Sequence, residues 1–163
     1  MKIIHIFYFL FFTGCGYLPI SYYAEQSIGK SVYVDAKINL ADPENSVIAK
    51  DALNQAIVNR FQSNLTTKEK ATTIISMELS NIDIYSIADD ADGFSIFYRA
   101  SVVMQFSYKD KKGNIKYFSN SGSYDFSSES ISTITEDKRF DAISKACMRA
   151  IDRFIAQVAS NWR

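Results

Sequence analysis

Phe94, Ile96, Tyr98, Ala100, Val102, Met104, Phe106 and Tyr108 occupy every second position of a fifteen-residue stretch. Successive strand side chains point to opposite sides, so this period of two marks a β-strand with one face against a core. Fifteen residues extend about 50 Å, whereas the mean strand has only about 5 or 6 residues. A chain of 163 residues has the size and composition of one domain. Such a strand should project past its small core and offer an interaction surface.

The neighbouring segments complete a sheet. The polar stretch Lys109 to Asn114 reads as a turn, and Ile115 to Phe126 returns as a second strand. Upstream, Thr72 to Ile87 alternates with a fault: Ile75, Met77 and Leu79 share one parity and Ile82 and Ile84 the other, which places a bulge or an end near Ser80 and Asn81. Ala88 to Gly93 is the turn between them. Ser31 to Leu40 also alternates, with Val32, Val34, Ala36, Ile38 and Leu40 on one side. Asp42 and Pro43 then supply an N-cap and a proline at the first helical position, and Glu44 suits the positive end of the helix. This helix is expected to run to about Asn64 and to bury Val47, Ile48, Leu53, Ile57 and Phe61. After a serine-rich connection, Ser127 to Thr135, a last helix is expected over Glu136 to Asn161. Its buried side would hold Phe140, Ile143, Cys147, Ala150, Ile151, Phe154, Ile155 and Val158. The fold class is therefore α+β: a two-layer sandwich of two helices on a four-stranded mixed sheet, in the order β-α-β-β-β-α.

The start of the chain has a different character. Met1 and Lys2 precede the largely apolar run Ile3 to Phe12, too short to span a bilayer and built like an export signal. Phe12-Thr13-Gly14-Cys15 places small residues before a cysteine, as a lipoprotein signal peptidase requires, so Cys15 is expected to become the lipid-modified first residue. Two or three acyl chains would hold it in a membrane. Gly16 follows, without an aspartate to retain it at the inner membrane, and an outer-membrane location on the periplasmic side is expected. The domains are then a signal peptide at 1–14, a lipidated cysteine and tether at 15–30, and one sandwich domain at 31–163. Loss of residues 1–14 removes Lys2 and the only histidine, His5, leaving 149 residues with a net charge of −1. Without imidazole there is no histidine base, triad or metal ligand, and near neutrality gives no reason to expect nucleic acid.

The remaining candidates are few. Asp89, Asp90 and Asp92 miss the calcium-loop register, since Arg99 stands where the loop's glutamate belongs, and they read as a solvated hairpin tip. No cofactor or metal site is expected. With Cys15 acylated, Cys147 has no disulfide partner and suits a buried small hydrophobe. Lys109, Lys111, Lys112 and Lys116, together with Arg99, are candidate contacts for anionic sugar or lipid head groups. The alternative is a solubilising turn interrupted by Asp110.

Cys15-Gly16-Tyr17 with Pro19, the strand Ser31 to Leu40, the Asp42-Pro43-Glu44-Asn45 helix start and the long final helix together resemble the LptE family of lipopolysaccharide-assembly lipoproteins. The resemblance implies two helices on a four-stranded sheet and a non-enzymatic role. It also implies partners: an LptD-like outer-membrane β-barrel, which such a protein plugs and helps to assemble, lipopolysaccharide, and membrane lipid through acylated Cys15. The family's lipid-binding residues do not map onto this chain by a motif, so Arg99 and the lysines rest on their chemistry alone. A second reading is a periplasmic lipoprotein module that activates or scaffolds an envelope enzyme. Against it stands the tether, whose roughly fifteen residues reach only about 50 Å.

Overall fold

The computed structural model describes residues 27–40, 42–109, 113–128 and 134–160. The signal segment, Cys15 and most of the tether lie outside the described residues. The elements follow in the order β1 (Ser31–Lys37), α1 (Pro43–Asn59), β2 (Asn64–Leu65), β3 (Thr73–Asp89), β4 (Ser95–Lys109), β5 (Ile115–Ser127) and α2 (Glu136–Ser160). They form one mixed sheet of order β2-β1-β3-β4-β5, with β1 parallel to both neighbours and β3, β4 and β5 antiparallel.

The sheet has five strands, where the sequence pattern predicts four. Helix α1 stops at Asn59 instead of continuing to Asn64. Phe61 then turns into the core, and Gln62 takes a left-handed backbone (φ 54°) that redirects the chain. Asn64 N–H donates to the Lys30 carbonyl at 2.7 Å, and Thr66 N–H donates to the Val32 carbonyl at 3.0 Å. Two residues are too short to display any period, which is why pattern reading passes over β2.

The start of α1 follows its capping chemistry. Asp42 accepts from the Asn45 backbone N–H at 3.5 Å and from the Asn45 side-chain amide at 2.8 Å, with Pro43 and Glu44 in the first turn. Such a cap contributes about 1 kcal/mol. The helix is also the crossover that parallel strands β1 and β3 require.

Both helices cover the same face of the sheet. Val32 and Val34 of β1, Ile75, Met77 and Leu79 of β3, and Ala100 through Tyr108 at alternate positions of β4 are buried beneath them. Phe154 of α2 is the centre of this core, its ring stacked on Phe106 at 4.4 Å between centroids and in edge contact with Phe118 at 5.5 Å. Burying one such ring contributes about 2–3 kcal/mol. Helix α2 and the sheet approach closely at Gly122 of β5, where an added Cβ would lie 2.0 Å from the Ala146 carbonyl oxygen.

Four residues expected inside lie outside. Strand β1 ends at Lys37, leaving Ile38 exposed and Leu40 at 93% exposure. Val47 is exposed because α1 buries the neighbouring row of Ile48, Ala52 and Ala56. Phe140 is exposed near the start of α2, ahead of Ala142, the first residue of that helix to be buried.

Candidate functional site

The bulge at Ser80 divides β3 into two halves with different surroundings. Pairing with β4 shifts register between Leu79 and Asn81, and Ser80 Oγ donates to the Val103 carbonyl at 3.0 Å. Before the bulge Ile75, Met77 and Leu79 are buried; after it Ile82 and Ile84 are half-buried against the core, and from Tyr85 to Asp89 the strand is exposed. Strand β4 is buried at alternate positions from Ala100, the residue opposite Ile84, and open at its beginning. The hairpin thus extends beyond the helix layer and carries Tyr85, Ile87, Phe94 and Phe97 as exposed large apolar side chains. Several exposed large apolar side chains on one projecting hairpin suit an interaction surface better than a lone exposed residue does.

The hairpin tip is organised by its own backbone. Asp90 Oδ1 accepts from the Asp92 N–H at 3.0 Å and the Phe94 N–H at 2.8 Å, while Gly93 takes a positive φ of 84°. Asp89 accepts from the hydroxyls of Ser86 and Ser95. Among the described residues no group of three or more His, Cys, Asp or Glu side chains is placed to hold a metal ion.

Arg99 sits in a row that runs across three strands, with Tyr85 opposite it on β3 and Asp125 opposite it on β5. Its Nε donates to Asp125 Oδ1 at 2.6 Å and its Nη2 to Oδ2 at 2.8 Å. This fork-on-fork pair raises the arginine's pKa above its ordinary value, with hydrogen bonding to Asp125 the largest cause and Tyr85 a smaller one. The same hydrogen bonds hold the Asp125 carboxyl below the usual carboxylate range. Arg99 is therefore matched by a countercharge, and it does not join the lysines. Ten residue steps along β4 separate it from Lys109, about 33 Å of strand.

The lysines themselves divide. Lys109 is paired with Ile115, and Lys116 with Tyr108. Tyr108 points into the core; strand alternation therefore sends Lys116 to the helix side and Lys109 to the other face. Lys111 and Lys112 lie outside the described residues. On Lys109's face, the sheet forms a hollow of about 410 Å³ lined by Lys37, Glu78, Gln105, Ser107 and Tyr117, among others. Lys37 and Glu78 pair across it at 3.0 Å.

A second group of cations was not evident as a site from the sequence. Lys145, Arg149 and Arg153 of α2 lie along β5. Lys145 Nζ is 2.7 Å from Asp141 and donates to the Tyr124 hydroxyl at 3.2 Å, contacts that raise its pKa. The spacing of four residues between these cations is the one signal that could have grouped them on one helix face. Cys147, on the same helix, is buried, and burial pushes its thiol up to about 12. At neutral pH it is a protonated, apolar filler and not a nucleophile.

The profile of the LptE lipopolysaccharide-assembly family matches residues 30–158, the whole sandwich from β1 almost to the end of α2. The chain belongs to the LptE family. Solved structures that share this fold include two lipoproteins. A lipoprotein from Caulobacter crescentus superposes with a TM-score of 0.55 at 10% identity, over 88% of this chain and 95% of that one. The rare lipoprotein B of Shewanella oneidensis does so with a TM-score of 0.52 at 9% identity, over 81% and 96%. At such identity the likeness concerns the fold alone. No curated protein matches the chain in sequence. No helix among the described residues is long and apolar enough to cross a membrane.

Proposed function

We propose that this LptE-family chain is a non-enzymatic outer-membrane lipoprotein, anchored through acylated Cys15 on the periplasmic side. In this reading it plugs an LptD-like β-barrel, assists the barrel's assembly and binds lipopolysaccharide on its way to the cell surface. The observation that carries the reading is the hairpin of β3 and β4, which leaves the core beyond Ile84 and bears Tyr85, Ile87, Phe94 and Phe97 uncovered. Apolar side chains held on a stiff strand pair beyond the core suit a standing protein partner.

Extraction of the native protein in mild detergent tests the partnership. One large outer-membrane barrel should be recovered with it in equal amount, and recovery of a lone lipoprotein would overturn the plug. For the lipid contact, the turn lysines are the proposed residues, Arg99 being held by Asp125. Reversing Lys109, Lys111 and Lys112 to glutamate should weaken binding to purified lipopolysaccharide with the melting temperature unchanged; unaltered binding would leave the turn a solvated one.

A further inference from the structure

Helix α2 lies beside β5, the last strand of the sheet, and two of its arginines reach that strand's backbone. Arg149 Nη1 donates to the Ser123 carbonyl, and Arg153 Nη1 donates to the Ser121 carbonyl at 2.8 Å and to its hydroxyl at 3.0 Å. A carbonyl accepts a hydrogen bond but brings no countercharge. The carboxylate that feels Arg149, Asp125, is already gripped by Arg99, and Asp141 is taken by Lys145. Among the described residues, no ion pair neutralises Arg149 or Arg153.

Two positive charges therefore stand one helical turn apart, about 6 Å along the axis. Their backbone contacts run through Nη1, so the edge formed by Nε–H and Nη2–H of each guanidinium takes no part in them. That edge is the fork that grips a phosphate or carboxylate through paired hydrogen bonds. Arg149 also lies over the Tyr124 ring, 5.3 Å from its centroid. Ring and carbonyl together hold the side chain in place before any ligand arrives, which lowers the ordering cost of binding. Two uncompensated charges match a dianion better than a single carboxylate.

We infer that Arg149 and Arg153 form a phosphate-binding ridge along the flank of α2 beside β5, taking a phosphate or diphosphate group carried on a lipid or saccharide. In naming lipopolysaccharide as the carrier, the inference rests on the proposed function above.

The test titrates purified lipopolysaccharide onto the full chain in detergent, beside an Arg149→Gln, Arg153→Gln variant. The glutamine amide still offers an N–H to the strand carbonyls while both charges are lost. Binding should weaken at least tenfold in the variant without change in circular dichroism or melting temperature, and inorganic pyrophosphate should displace lipopolysaccharide from the unaltered protein. Undiminished binding by the folded variant, or failure of pyrophosphate to compete, overturns the ridge and leaves the proposed cargo intact. Should the variant not fold, the pyrophosphate competition decides alone. If the unaltered protein ignores lipopolysaccharide yet binds pyrophosphate, or vesicles containing phosphatidylglycerol, and pyrophosphate competes for those vesicles, the ridge stands and the cargo falls. A soluble phosphate and a lipid head group are then told apart by which probe binds. Binding to none of the three overturns both.

Discussion

At Gly122 the backbone of β5 runs directly under α2, and its missing side chain is what permits the contact. An added Cβ would meet the Ala146 carbonyl oxygen at 2.0 Å and the Ala150 nitrogen at 2.6 Å, both main-chain atoms of the helix that cannot rotate aside. Gly122→Val should therefore cost about 3 kcal/mol, the upper part of the usual range for overpacking. Urea denaturation measures it, and a loss below about 1 kcal/mol would mean that α2 lifts off the sheet easily. Nothing in the sequence announces this role, because the glycine stands in a serine-rich strand where a turn or a bulge would be the ordinary reading. Cys147, by contrast, was legible: its place among Ile143, Ala150 and Ile151 on one helical face gives its burial directly. Exposed residues at the ends of elements were the least legible. Leu40 and Phe140 continue an apolar period past the point where the opposing layer stops, and a period carries no information about what lies opposite.

The long hairpin is the element whose behaviour follows most closely from its pattern. The parity fault between Leu79 and Ile82 predicts the bulge, and the register shifts at Ser80. The extra residue at the bulge resets the parity, so Ile82 and Ile84 still pack on the core, and the strand is continuously exposed only from Tyr85. Tyr85 and Phe97 on the uncovered part should be dispensable for folding. Replacing both with serine is expected to change stability by no more than about 0.5 kcal/mol per site while lowering recovery of the co-extracted barrel several-fold. Thermal melting and quantitative recovery from the same preparation check the two halves of this expectation. A fall in melting temperature matching the loss of partner would make the aromatics part of the fold instead. The lysine turn shows the limit of reading elements from sequence. Neighbours in the chain need not be neighbours on a surface, and alternation sends Lys109 and Lys116 to opposite faces of one sheet.

At the scale of the molecule, two helices on one face and a mixed sheet beneath them were legible because each element is long and strongly periodic. The fifth strand was not, being two residues held by backbone hydrogen bonds to Lys30 and Val32. The cations of α2 were missed for a related reason: their significance depends on which strand the helix lies beside. The placement has a further consequence. A last strand ordinarily presents a row of unpaired carbonyls on which another chain can build. Here Arg153, Arg149 and Lys138 already donate to the carbonyls of Ser121, Ser123 and Ser127. Two copies meeting side by side along β5 find those acceptors occupied, which guards this edge of the sheet against pairing with another.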